Sequence, residues 1–302
     1  LIVTMVTFAL IGFGELGRAL AETLVGSGAR VRAFSRSAGD PDRAATFRAV
    51  AEQSGADACA SIVQALHEAQ CVMSVVPGDV STSVARECVQ ALEADALYVD
   101  LSSAPPEEKE AASELVARAG ARYVDGAVLG TAAVSAGAVP ILASGSGAEE
   151  WRELVIPYGL EVRAIDAPAG YAARVKLLRS VYMKGRDALI IEMMLAAHRY
   201  DLTDAVLDSI GGPGEQIPFR ALADRVMSGA AIHAERRAQE LEASGNLVEQ
   251  TGVSPLTARA AAERLRRLAA LELSTVFGGE RPAGAVPVLE AFEARSAERQ
   301  AL

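Results

Sequence analysis

The sequence predicts an α/β fold, a doubly wound parallel sheet followed by an all-helical carboxy-terminal domain. Three observations predict it. Short, near-continuous apolar runs alternate with helical segments through the first half, the pattern of parallel strands covered on both faces. The first run leads through a glycine turn directly into a helix. Strand signals then cease near Asp166-Ala167-Pro168-Ala169-Gly170, and helical periodicity continues beyond it.

The first strand is expected over residues 6–11. The preceding Leu1-Ile2-Val3-Thr4-Met5 is apolar and lacks a basic flank, so it reads as an extension of that strand, or as residues ahead of a start at Met5, and not as a signal peptide. Gly12-Phe13-Gly14-Glu15-Leu16-Gly17 follows, and residues 18–24 continue as a helix. Strand, Gly-x-Gly-x-x-Gly turn and helix start, in that order, form the dinucleotide-binding fingerprint of a Rossmann-type sheet. The first glycine permits the tight turn, the second lets backbone approach a pyrophosphate, and the third lets helix pack on strand. The phosphates would meet the unpaired N–H groups and positive dipole end of the helix.

Gly26-Ser27-Gly28 ends that helix, and residues 31–34 form the second strand. Residues 71–76 are an apolar run stopped by Pro77-Gly78, hence a buried strand. Further strands are expected at residues 96–100, 123–125 and 139–143. Ligands of such sheets bind beyond the carboxyl ends of the strands, where Gly12, Ser35, Val76, Pro77 and Ser102 fall. Two domains result. Residues 1–167 form the dinucleotide-binding domain, and residues 168–302 form a helical substrate and dimerisation domain that opens with a long interdomain helix. That helix reads as amphipathic from Arg174 to about Tyr200; Gly211-Gly212-Pro213-Gly214 interrupts, and residues 257–273 are again helical.

A net charge of −10 argues against a nucleic-acid partner. No apolar run reaches the roughly 18 residues of a membrane span. Three scattered cysteines suit a reducing cytoplasm, and neither they nor the three histidines have metal-ligand spacing. A small-molecule substrate is the expected partner, with no metal, no nucleic acid and no membrane.

The end of the second strand bears on the cofactor. An NAD site usually carries an acidic residue there to bond the ribose 2′-hydroxyl. Here the strand runs into Ser35-Arg36-Ser37, with Asp40 a little further on. Arg36 can bond a 2′-phosphate, with the serines as donors, so NADP(H) is expected over NAD(H). The cofactor-binding set is therefore Gly12, Phe13, Gly14, Glu15, Leu16, Gly17, Ser35, Arg36, Val76 and Pro77. Lys176 and Ser180 are four apart and share a helix face, with Arg179 beside them. Spacing alone leaves Lys176 as an ordinary solvated charge.

Four segments resemble the β-hydroxyacid dehydrogenase superfamily, which includes 6-phosphogluconate and 3-hydroxyisobutyrate dehydrogenases. They are the glycine turn; Asp100-Leu101-Ser102-Ser103-Ala104-Pro105, similar to the family's loop near the nicotinamide; Asp125-Gly126-Ala127-Val128-Leu129-Gly130, similar to its substrate loop; and Gly170 through Lys176 to Ser180, similar to its catalytic segment. The run from Lys176 through Lys184-Gly185 resembles a branch whose carboxy-terminal domain is phosphogluconate-dehydrogenase-like. The resemblance implies hydride transfer to or from a β-hydroxy acid or related hydroxy or carbonyl compound, Lys176 as catalytic acid and base, and a homodimer. It also implies that Ser102, Ser103, Gly126, Ala127, Arg179 and Ser180 bind substrate. Ser103 can alternatively cap the helix that starts at Pro105-Pro106. Ser180 stands where the family has Asn, Leu129 where it has Ser, and Ala172 where it has Gly. Met183 occupies the place of the second carboxylate of decarboxylating members, so simple dehydrogenation is expected. An imine reductase on the same fold and a non-catalytic dinucleotide sensor are the alternatives.

Overall fold

The computed structural model describes residues 5–130, 139–210 and 217–300. Of the strand extension expected at residues 1–5, residues 1–4 lie outside the described residues, as does the break expected at 211–214; Met5 is described and is not part of a strand. The chain divides into two compact units, Leu1–Arg179 and Ser180–Leu302.

In the first unit, eight strands among the described residues build one sheet: β1 Thr7–Ile11, β2 Arg30–Phe34, β3 Asp57–Ala58, β4 Cys71–Ser74, β5 Leu97–Asp100, β6 Arg122–Val128, β7 Ile141–Ser144 and β8 Val162–Ala164. Their order is β3-β2-β1-β4-β5-β6-β7-β8. Neighbours are parallel except β6 and β7, which run antiparallel with Gly126 opposite Ala143. The all-parallel expectation is corrected at this one pair. β3 and β8, two and three residues long, are too short to show a period and were not expected.

The helices of this unit are α1 Glu15–Gly26, α2 Ala44–Gln53, α3 Ile62–Leu66, α4 Ser81–Cys88, α5 Pro106–Arg118 and α6 Ala148–Val155. Double winding is visible in single strands. Phe8 and Leu10 of β1 join one core with Leu20, Leu24, Phe47 and Trp151. Ala9 and Ile11, the alternate residues, join the opposite core with Val84, Cys88, Val116 and Tyr123. Both faces of β1 are dry, so Phe8 to Ile11 read as a continuous apolar run.

α7, Tyr171–Arg199, begins in the first unit and continues into the second. It is not amphipathic as expected. Leu177 and Leu178, Val181 and Tyr182, and the consecutive Leu189, Ile190 and Ile191 are all exposed large apolar residues. Successive residues point about 100° apart, so no single stripe holds them.

The second unit continues with α8 Thr203–Ile210, α9 Phe219–Gln250, α10 Leu256–Ala269, α11 Leu273–Val276 and α12 Ala285–Gln300. α9 bends at His233, whose φ of −121° and ψ of 19° are not helical. Small buried residues such as Gly229, Ala231, Ala234 and Ala238 line α9. Ala231 packs with Leu271, Leu273 and Val288. The buried Glu192 of α7 accepts hydrogen bonds from the N–H groups of Thr257, at 2.7 Å, and Ala258, at 2.9 Å. Pro255 at the head of α10 provides no side-chain cap, so Glu192 does so from another helix. Glu192→Ala is expected to cost about 1–3 kcal/mol of stability. A thermal melt checks this; an unchanged midpoint would remove Glu192 from the capping role.

Candidate active site

The glycine turn performs three different tasks. Gly12 has φ +99°, and a Cβ there would stand 2.4 Å from the Val75 carbonyl oxygen. A Cβ on Gly17 would stand 2.6 Å from the Gly12 carbonyl oxygen. These two let strand, turn and helix close on each other. Gly14 differs: a Cβ there would meet nothing within 4 Å. It faces open space at the head of α1, whose first turn has no side-chain cap. Uncapped N–H groups beside an open glycine suit an approaching phosphate.

A cleft of about 790 Å³ opens there. It brings together Gly12, Phe13, Gly14, Glu15, Leu16, Gly17, Ser35, Arg36, Val76, Pro77, Ser102 and Ser103, the convergence of strand ends expected from the sequence. Ser37 and Arg43 line it too. Arg43 went unnoticed in the sequence because it lies beyond Asp40, past the strand end where such a residue is sought. Ser35 Oγ accepts from Ser37 N at 3.3 Å. Arg36 is exposed and stands 3.8 Å from Glu87. Asp40 accepts from Asp42 N at 3.0 Å and is not part of the cleft wall. A second cleft, of about 870 Å³, is lined by Arg30 and Asp57, the first residues of β2 and β3. That is the wrong end of a parallel sheet for a nucleotide.

Next to the cleft lies a buried polar hub. Asp100, at the end of β5, accepts from Ser81 Oγ at 2.7 Å, Tyr123 Oη at 3.0 Å and Ser102 N at 2.9 Å. Lys109 of α5 donates to the Asp100 carbonyl at 2.8 Å and pairs with Asp100 Oδ1 at 3.0 Å and Asp125 Oδ1 at 3.6 Å. Burial by itself would raise the Asp100 carboxyl. The Lys109 ammonium and the bonds from Ser102 and Ser81 outweigh it and hold the group below the usual carboxylate range. Asp125 Oδ2 accepts from Gly170 N at 3.0 Å and Ala173 N at 3.1 Å, while Ser144 Oγ accepts from Ala172 N at 3.1 Å. The first turn of α7 is therefore capped by strands β6 and β7.

Lys176 stands one turn further along. Its half-buried ammonium donates to Ser103 Oγ at 2.9 Å, the hydroxyl on the cleft wall. Burial lowers the proton affinity of Lys176, and the Lys109 ammonium lowers it further against the opposing pull of Asp125 and Asp100. Such a lysine exchanges protons more readily than a solvated one. Ser103 does not cap α5: the capping position is Pro105, and the Ser103 hydroxyl is turned to Lys176.

The remaining expected residues fall differently. Gly126 and Ala127 are not in a loop. They lie buried inside β6, opposite Ala143 and Leu142 of β7. Leu129 packs with Ala127, Leu142, Ala172 and Val175, so its apolar side chain has a structural reason. Arg179 is exposed on α7, and Ser180 is half-buried one turn after Lys176. Lys109 and Asp125 were not singled out in the sequence. Lys109 sits in the charged run Glu107-Glu108-Lys109-Glu110, which reads as a solvated helix start.

The fold and the glycine cradle define a dinucleotide-binding protein of the dehydrogenase class. The nucleotide-binding half of the chain is similar to the 6-phosphogluconate dehydrogenase family. Residues 7–155 match the NAD binding domain of 6-phosphogluconate dehydrogenase, and residues 197–268 match a domain of unknown function designated DUF1932. An uncharacterized 28.5 kDa protein of Methanothermus fervidus is 26% identical over 145 residues, a match spanning 48% of this chain and 55% of that relative. A conserved hypothetical protein from Sinorhizobium meliloti is 29% identical, covers 97% of both chains and superposes with a TM-score of 0.61. An imine reductase of Streptomyces aurantiacus is 24% identical, with 90% of this chain and 98% of that one covered, at a TM-score of 0.70. Among the described residues no helix is long and apolar enough to cross a membrane.

Proposed function

We propose that the protein is an NADP(H)-dependent oxidoreductase acting on a β-hydroxy acid or a related hydroxy or carbonyl compound, with Lys176 as general acid and base. The observation that carries this reading is the 2.9 Å contact from Lys176 Nζ to Ser103 Oγ, on the wall of the cleft that holds Gly12, Gly14 and Gly17. The bound nucleotide supplies or accepts hydride. The open face of Gly14 and the first-turn N–H groups of α1 would hold its phosphates. In the oxidising direction neutral Lys176 takes the substrate hydroxyl proton, and in the reducing direction its ammonium returns one. Ser102, Ser103 and Arg179 are the proposed substrate contacts, with Ser180 one turn beyond Lys176 on the same helix. Gly126 and Ala127 lie buried inside β6, and neither lines the cleft. Two copies associate through the second unit, where Ile191, Leu195, Leu202 and Leu207 are exposed; sedimentation velocity reads this as a dimer, and a monomer at working concentration contradicts it.

Arg36 and Arg43, with Ser35 and Ser37, offer a 2′-phosphate two guanidinium groups and two hydroxyls. The exposed Glu87 beside Arg36 competes weakly. Arg36→Ala/Arg43→Ala is expected to weaken NADPH binding by roughly tenfold or more while leaving NADH binding nearly unchanged, at about 1.5–3 kcal/mol per charge-assisted bond. Fluorescence titration of both nucleotides checks it, and an equal loss for both contradicts the assignment.

Reduction of a C=N bond is a second reading of the same geometry. Leu129, held in an apolar cluster, offers no hydroxyl to a substrate carboxylate, which favours a less acidic substrate. Turnover of NADPH against panels of small hydroxy acids, ketones and cyclic imines separates the readings. Tight NADPH binding with no turnover on any panel would instead support a dinucleotide sensor.

A further inference from the structure

The chain contains three lysines, Lys109, Lys176 and Lys184, among 29 lysine and arginine residues. Arginine serves almost everywhere else, yet two of the three lysines belong to one cluster. Lys109 is only 1% exposed. A buried ammonium carries a desolvation cost of several kcal/mol, and an apolar core of the same volume is often at least as stable. Fold stability is therefore a weak reason for the trio of Asp100, Lys109 and Asp125.

Its connections give a better one. Asp100 holds the N–H of Ser102, in the loop that carries Ser103. Asp125 holds the N–H groups of Gly170 and Ala173, the first turn of the helix that carries Lys176. Lys109 reaches both carboxylates from α5. It thereby joins the two pieces that meet in the contact between Lys176 and Ser103. We propose that Lys109 is a positioning residue for Lys176, tying the Ser103 loop to the start of α7 and setting the charge balance around the Lys176 amine. This rests on the role proposed above for Lys176.

The charge balance has a definite sign. The groups facing Lys176 include the Lys109 ammonium from α5, the Asp100 carboxylate from β5, the Asp125 carboxylate from β6 and the neutral Ser103 hydroxyl. Arg174, half a turn before Lys176 on α7, is engaged at 2.6 Å by Glu110 of α5. Without the Lys109 charge, one neighbour that disfavours the Lys176 ammonium is gone, and two carboxylates that favour it are released. Lys176 then holds its proton to higher pH.

Reductive methylation of the whole protein with ¹³C-formaldehyde followed by NMR titration tests this without any substrate. The Lys176 signal is assigned by its loss in Lys176→Arg. In the wild-type protein its midpoint is expected below the ordinary lysine value of about 10.4. Lys109→Met is expected to move it upward, and Lys109→Gln, which keeps a donor for the two aspartates, to do the same. Lys109→Arg, which keeps the charge, is expected to stay with the wild type. A folded Lys109→Met or Lys109→Gln protein with an unmoved midpoint overturns the proposal. So does a wild-type midpoint at or above the ordinary value, should neither variant fold. A moved midpoint in a protein whose Lys176→Met variant keeps full turnover would leave this inference standing and remove the catalytic reading. An unmoved midpoint with turnover lost in Lys176→Met would do the reverse.

Discussion

Replacing Lys176 with methionine is expected to lower turnover by about 10²–10⁴-fold, the usual contribution of a positioned acid or base. NADPH binding should survive unchanged, because the glycine cradle and the Ser35–Arg43 region make no use of the amine. Steady-state rates and a nucleotide titration on the same preparation read both halves of the expectation. The pH dependence carries a sign as well. The oxidising direction needs the neutral amine, so its kcat/KM should rise with pH to a plateau. The reducing direction needs the ammonium and should fall across the same limb. Burial and the Lys109 ammonium place that limb below the ordinary lysine range. A variant with wild-type turnover, or a limb that persists in Lys176→Met, would detach Lys176 from the chemistry.

Gly12→Ala is expected to have the second largest effect, on folding and on nucleotide binding together. Its Cβ would be driven to 2.4 Å from the Val75 carbonyl oxygen, at a φ of +99° that side chains rarely adopt. Neither strand can give way easily, because Gly12 N also bonds the Phe34 carbonyl at 2.8 Å and Val75 N bonds the Ile11 carbonyl at 2.7 Å. Strain of this kind costs about 1–3 kcal/mol, and relieving it requires moving the turn that faces the phosphates. A lower unfolding midpoint together with at least tenfold weaker NADPH binding is the expected outcome. Gly14→Ala is the informative partner, since it has room for the methyl group in the free protein. It should keep the wild-type melting midpoint and lose only affinity. Equal behaviour of the two variants would contradict the division of labour among the glycines.

Much of the nucleotide end was legible because its signals are local. Strand, glycine turn and helix occupy consecutive residues, and the sheet rule then brings Ser35, Val76, Pro77 and Ser102 to the same cleft. The direction of β7 was not legible, since an apolar run such as Ile141-Leu142-Ala143 reads the same either way. Gly126 and Ala127 looked like a loop because glycine and alanine are poor strand formers. Pairing with β7, and the Leu101 side chain that fills the space above Gly126, hold them in the sheet. The hub was hidden for a different reason. Asp125 bonds Gly170 and Ala173, 45 and 48 residues away, and Lys109 looks solvated among glutamates. Contacts at such separations leave no periodicity or motif behind. Lys176 itself rose above an ordinary surface charge only through family resemblance, and its bond to Ser103 gives the position a physical basis.

The central claim is that Lys176 and the glycine cradle serve one bound nucleotide. A crystal structure of the protein with NADPH tests it most directly. The account predicts the phosphates on the Gly14 side of the α1 start, the 2′-phosphate at Arg36 and Arg43, and the Lys176 amine beside the nicotinamide ring with Ser103. A nucleotide seated elsewhere, or a nicotinamide ring with Lys176 turned away into bulk solvent, would contradict it.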